Sequence, residues 1–423
     1  MTTAPRHPLP QARSAGGPTP PSRFREGEAR NRRLGARLAR IAGAAEPDEQ
    51  LMHRIGRAMR EGDAAAEVVV AAMRLPADHP QRVRRTHLAW LADPALPRPD
   101  ELPDALASLI AEHEQDPLWL DRELLAEGAG VYRRWGMNAA DALLQLSLLG
   151  GYRFGGPTDL LAATGGLSGA STRRRLGETQ RWAVMLSQPR ALEPGRGAWR
   201  TTLHVRLIHA LVADRTMRES WDVERWGRPI NQADQAATLG LFDGVPLLGV
   251  RALGVPVTSE ESRAVMHLWR YVGWLMGVHP DFLVQTERER HRLNWHLLIA
   301  QALPTPACGE LARAAVDVQR DLDLVRPGAP ALVVRARGRL ERERQLSMLT
   351  TFLGPASMRE LGLPLRPPWA IATRLAANSA RYRLLGRGEA GRRRLESFGQ
   401  RTERRVMRAY FGDAAPEIGA LPG

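Results

Sequence analysis

The sequence contains no lysine: all 60 of its Lys-plus-Arg side chains are arginine. That absence excludes a Schiff-base lysine, the phosphate-gripping lysine of a P-loop and a lysine metal ligand, and several enzyme classes go with them. Cysteine is almost missing as well. Cys308 stands alone, so neither an intramolecular disulfide nor a cysteine-based zinc site can form. No apolar run reaches the roughly 18 residues that a membrane span requires; the stretches around Val68 and Leu143 fall well short. Met1-Thr2-Thr3-Ala4-Pro5-Arg6 opens the chain without the apolar region of an export signal, and a cytoplasmic location is the expectation. Strand signals are scarce too. Only Ala331 to Val334 reads as extended, and period-two alternation and internal repeats are lacking.

Catalytic signatures are equally sparse. A pair of histidines flanking a glutamate at zinc-protease spacing is missing, as are a nucleophile elbow and the two Glu-x-x-His pairs of a di-iron helical bundle. The paired glycines between 150 and 171 do not join a strand to a helix, so they read as a connecting loop rather than a dinucleotide fingerprint.

What remains is a globular composition, 43% hydrophobic over 423 residues, enough for one large or two modest domains. Charge is unevenly placed. Residues 1–45 carry nine arginines against Glu26 and Glu28; residues 365–411 carry twelve against Glu389, Glu396 and Glu403. The body between is neutral overall. This argues against a nucleic-acid reader with a basic groove and suggests basic ends that touch an acidic surface, peripheral membrane lipid among them.

Apolar spacing predicts an all-α chain. Residues 1–30 read as a disordered leader, rich in Pro, Gly, Ser and Arg. Leu34, Leu38 and Ile41 begin the helical pattern, which continues through 47–61, 63–74, 80–92 and 101–114. Two helices hinged near Gly136 fill 117–150; further helices are predicted at 171–187, 199–215, 231–243, 259–278, 281–302 and 307–322. Asn231 is placed to cap one of them, and Thr258 or Ser259 another, ahead of Glu260 and Glu261. Beyond 340 come an arginine-rich helix, a break from Leu363 to Pro368 and a basic helical pair. The domain reading is a leader over 1–45, a helical catalytic domain over 46–340 and a basic extension over 341–423.

One helix carries a candidate ligand. Between Arg200 and Asp214 the only formal charge is Arg206, and Leu203, Val205, Leu207, Ile208, Leu211 and Val212 cover most of the circumference, which marks a buried helix. His209 lies on the side of Val205 and Val212. An imidazole there is either a core histidine bonded to a backbone carbonyl or a neutral nitrogen ligand for iron. His204, five positions away and about 140° round the helix, cannot share a metal with it. Arg175 and Thr179, four apart, share a face that could hold an anion, orient a haem propionate, with Arg175 binding the cofactor, or donate to dioxygen; on pattern alone a solvated charge run of Arg173 to Arg175 is the simpler account. The segment from Trp221 to Gln232 is either a lid or pocket wall or a core-plugging loop, and His267 to Trp274 an aromatic helix for which packing is the simpler account, although its Arg270 could meet a propionate.

The order Arg175…Glu178-Thr179, then His209 within Val205-Arg206-Leu207-Ile208-His209-Ala210, resembles the rubber oxygenase (latex-clearing protein) family, which includes the oxygenase of mycophenolic acid synthesis. Asn231-Gln232-Ala233-Asp234, the run from His267 to Val278, and Tyr132-Arg133-Arg134-Trp135-Gly136 resemble it too, so the likeness covers about 115–300. It implies a globin-like helical core with N- and C-terminal extensions, a b-type haem with His209 as axial ligand, and Arg175 and Thr179 on the distal side. It also implies dioxygen as co-substrate and oxidative cleavage of a C=C bond in a hydrophobic, isoprenoid-like small molecule. There is one departure: where rubber oxygenases carry a lysine beside the threonine, this chain has Glu178. Two rivals stay open, a haem protein without oxygenase turnover and a haem-free helical protein that binds lipid through its basic ends.

Overall fold

The computed structural model describes residues 19–165, 169–322, 325, 329–386 and 388–412, so most of the predicted leader, residues 1–18, lies outside it. Among the described residues every regular element is helical, and no helix is long and apolar enough to cross a membrane.

Six helices lead in: α1 (Glu28–Leu34), α2 (Ala36–Ala42), α3 (Glu49–Ala58), α4 (Ala64–Met73), α5 (Arg85–Ala92) and α6 (Asp104–Glu114). The leader is therefore ordered from Thr19 onward, which corrects the expectation of disorder up to residue 30. The reason is a buried ion pair. Arg23, fully buried, reaches Asp234 at 2.6 Å and the Trp226 carbonyl at 2.7 Å, which ties the N-terminal segment to the body.

The middle of the chain holds α7 (Arg122–Trp135), α8 (Met137–Asp141), a π-helical turn over Ala142–Leu148, α9 (Leu149–Gly151), α10 (Pro157–Ala163), α11 (Gly169–Leu186) and α12 (Gly197–Arg218). Gly136 separates α7 from α8 at φ 49°, the left-handed region that glycine tolerates, as the predicted hinge requires. The loop predicted over 150–171 contains α10 instead. Pro157 stands at its first position, where a missing N–H costs nothing, and Asp159 accepts from the Gly156 N–H at 2.8 Å.

There follow α13 (Val223–Trp226), α14 (Gln232–Phe242), α15 (Gly244–Ala252), α16 (Ser259–Leu275), α17 (Glu287–Ile299) and α18 (Pro306–Asp317). Asn231 caps α14 by accepting from Asp234 N–H at 2.9 Å. Thr258 and Glu261 cap α16 reciprocally, each bond 3.2 Å.

The chain closes with α19 (Ala331–Glu360, broken at Gly354), α20 (Trp369–Leu385) and α21 (Gly388–Phe411). Residues 331–334, predicted extended, form the first turn of α19; Pro330 precedes it, and helix start signals outweigh the β-branched pair Val333-Val334. The last helices are packed, not appended. On α21 the residues Leu395, Glu403, Val406 and Tyr410 are buried while Arg401, Arg404, Arg405 and Arg408 face outward. A Cβ on Gly399 would collide with the Arg133 carbonyl, so α21 lies directly on the end of α7. Arg133 to Glu396 at 2.5 Å secures the contact.

Candidate functional site

Buried apolar residues of α12 and α16, with Trp199, Leu203, Trp269 and Val272 among them, form the main core. Between this core and α1, α2, α11 and α14 the packing leaves a cavity of about 1560 Å³. Small-molecule pockets usually span roughly 300–1,000 Å³, so the space suits a large planar group together with a second apolar molecule. Trp182, Phe242 and Trp269 build one wall, with ring centroids 5.1–5.9 Å apart.

His209 is the one histidine among the cavity-lining residues, beside Val205, Ile208 and Val212 of the same α12 face. Its Nδ1 is buried and makes no hydrogen bond. Burial pushes the imidazole pKa down to about 4, although the Asp63 carboxylate pulls weakly the other way. The ring is therefore neutral at ordinary pH, with a lone pair available. Three other buried histidines are held by hydrogen bonds, while His291 meets Glu287 through Nε2 at 3.0 Å and, like His209, leaves a buried Nδ1 unbonded. His113 meets the Leu109 carbonyl at 2.8 Å and Arg206 at 2.9 Å; His296 accepts from Asp48 N–H at 2.9 Å and faces the Arg292 carbonyl at 2.7 Å. His267 accepts from Asp121 N–H at 3.0 Å. His204 is buried and does not line the cavity. Of the two sequence readings of His209, a backbone-bonded core histidine is the one the geometry lacks.

Arg175, Glu178 and Thr179 of α11 line the same cavity, so the structure brings these three residues and His209 to one space. Arg175 donates to the Thr164 carbonyl at 2.9 Å, which fixes one side of its guanidinium. Glu178, at the position of the departure, is held by Arg174 at 2.7 Å. Of the segment from Trp221 to Gln232, Ile230 lines the cavity and the two tryptophans do not. Trp221 donates to the Gly227 carbonyl at 2.9 Å and packs on Trp226, as a structural loop does. Arg270, the other arginine weighed, stacks over Trp119 at 4.0 Å and does not line the space either.

Two features escaped sequence reasoning. Behind His209 a second void of about 10 Å³ is lined by His209, Asp63, Glu67, Arg206 and Gln235, close to the least volume that holds one water. Arg206, the one formal charge between Arg200 and Asp214 on α12, is bidentate to Asp63 at 2.6 and 2.8 Å. A lone arginine on an apolar helix signalled a buried acid somewhere, without saying which. The other feature is the wall contributed by α1 and α2, including Leu34, Leu38 and Ile41.

Known proteins share the fold of this chain. Residues 123–387 match the model of the catalytic domain described as ER-bound oxygenase mpaB/B′/rubber oxygenase. The rubber oxygenase of Streptomyces sp. (strain K30) is 24% identical over 240 residues, which cover 54% of this chain and 57% of that protein. The structure of latex clearing protein LCP in the closed state superposes with a TM-score of 0.63 at 20% identity, over 82% of this chain and 91% of that one. That likeness establishes the shared helical fold.

Proposed function

Because this chain belongs to the mpaB/rubber oxygenase catalytic-domain family, we propose that it is a haem b-dependent oxygenase acting on an apolar, isoprenoid-like substrate, with His209 as the residue that would hold the iron. The observation that carries the reading is a neutral, unpartnered imidazole on the wall of a cavity large enough for a porphyrin. An iron bound by protein groups alone needs three or more donors. A single imidazole suits an iron whose equatorial donors come from a macrocycle.

Bound there, the haem supplies the redox chemistry on dioxygen. The chain does the rest. His209 would hold the iron through its ring, and the small void beside it is lined by Asp63 and Gln235, polar groups that would help orient the imidazole. Arg175 and Thr179 line the cavity with a guanidinium and a hydroxyl, which would stabilise negative charge there. Trp182, Phe242 and Trp269 exclude water and select an apolar chain. Glu178 replaces the family lysine and is engaged by Arg174, so a lysine amine closing the cavity is impossible here.

The test is spectroscopic. Protein expressed with haem available should show a Soret band, and His209→Ala should lose it or shift it. A colourless full-length protein under those conditions would sink the reading.

A further inference from the structure

The arginines around the cavity are not equivalent. Seven line it, Arg33, Arg37, Arg40, Arg153, Arg174, Arg175 and Arg215, against three acids, Glu178, Glu219 and Asp234. All three acids are already paired, with Arg174 at 2.7 Å, Arg215 at 2.9 Å and Arg23 at 2.6 Å. Arg153 donates to the Gly150 carbonyl at 2.8 Å and Arg175 to the Thr164 carbonyl at 2.9 Å. Among the described residues Arg33, Arg37 and Arg40 have no such partner, and all three are exposed at the cavity edge.

Their spacing gives them a common job. Arg37 and Arg40 are three apart on α2, and Arg33 lies four before Arg37 across Gly35, so the three follow one another along one side of the helical pair. They span roughly 10 Å at the rise of an α-helix. Beside them Leu34, Leu38 and Ile41 turn an apolar stripe to the same cavity. An apolar stripe leading inward, edged by unpaired guanidiniums, is complementary to a molecule with a greasy chain and a negatively charged end.

We propose that the cavity takes an apolar chain ending in an anionic head, a carboxylate or phosphate, and that Arg33, Arg37 and Arg40 hold that head at the entrance. The proposal rests on reading the cavity as the substrate site but not on the haem. The family model begins at residue 123, so this selectivity element belongs to the N-terminal segment outside it.

Ligand pairs that differ only in the head group test it. The purified full-length protein is titrated with farnesoic acid and with farnesol, read by quenching of tryptophan fluorescence, since Trp182 and Trp269 line the cavity. The acid should bind about tenfold more tightly at low ionic strength, equivalent to about 1.4 kcal/mol, and the advantage should shrink in high salt. Farnesyl monophosphate run beside them tells a phosphate head from a carboxylate. R33Q/R37Q/R40Q should bring the acid down to the affinity of farnesol with the Soret band intact, and the charge-keeping R33K/R37K/R40K should retain most of the preference. Equal affinities in the unaltered protein overturn the proposal, even if the glutamine variant fails to fold. So does an acid preference that survives in the glutamine variant. Haem loss in that variant with the acid preference unchanged would assign these arginines to the cofactor's own carboxylates and overturn it too. Failure of either ligand to bind while the Soret band persists rejects this inference and leaves the haem assignment standing.

Discussion

At the scale of single residues, the site depends on a charge pair that composition could hint at but not locate. Arg206 is 6% exposed and Asp63 11%, bidentate to each other. Removing one partner of a buried pair leaves an uncompensated charge, which costs about 3–5 kcal/mol. Asp63 also caps α4 by accepting from Ala66 N–H at 3.2 Å, so Asp63→Ala loses two roles at once. Urea unfolding should show that loss for Asp63→Ala, and a distinctly smaller one for Asp63→Asn, which can still cap and accept from Arg206. Equal stability of Asp63→Ala and the parent would refute the account of the pair. His209 was legible because a histidine on an otherwise apolar helix is conspicuous. Asp63 was not, because 143 positions separate it from Arg206 and periodicity carries no information at that range. The same holds for Arg33, Arg37 and Arg40, where sequence shows charge and only the fold shows that no acid answers it.

At the scale of elements, local signals served well where start chemistry and apolar spacing agreed. Thr258 with Glu261 and Asn231 with Asp234 cap the helices that the sequence assigned to them. They failed where two local signals conflicted. Val333-Val334 favours a strand, Pro330 favours a helix start, and the helix forms. Glycines between 150 and 156 hid α10 in the same way. The docking of α21 is the element that no local pattern announced, and it carries a pH signature. Burial pushes Glu403 up to about 7, opposed by Arg133 and Arg404 and reinforced by Glu396. A carboxyl whose folded pKa lies above its unfolded value of 4.5 stabilises the fold fully below pH 4.5. That contribution disappears as pH rises through about 7. Glu403→Gln, which stays neutral, should match the parent near pH 4.5 and exceed it at pH 8 by on the order of 2–3 kcal/mol. Melting curves at the two pH values check this; a variant less stable than the parent at pH 8 would mean that the ionised carboxylate has a partner worth more than its burial costs.

At the scale of the whole molecule, the boundaries expected at 45 and 340 can be set against the packing. The family model covers 123–387 and contains His209, Arg175 and Thr179. Yet the cavity is walled partly by α1 and α2, and the small void against His209 is lined by Asp63, all upstream of that segment. Downstream, Asp141 is 3% exposed and is neutralised by Arg344 at 2.7 Å and Arg374 at 2.8 Å, from two different C-terminal helices. Asn378 of α20 donates to Asn138 and to the Leu253 carbonyl, each at 2.8 Å. A basic end that merely touched an acidic surface would be dispensable to folding; this one completes the core. Truncation after residue 362 should therefore leave Asp141 with one cation fewer, uncover the face of α7, and abolish cooperative melting or drive precipitation. Replacing Arg401, Arg404, Arg405 and Arg408 by glutamine, which removes charge from the exposed side of α21 and leaves its buried side intact, should not move the melting temperature by more than about 1–2 °C. A truncated chain that stays monomeric and melts as sharply as the parent would show that α20 and α21 are an appendage. The predicted contrast, collapse on truncation and indifference to charge, separates packing from electrostatics in one experiment.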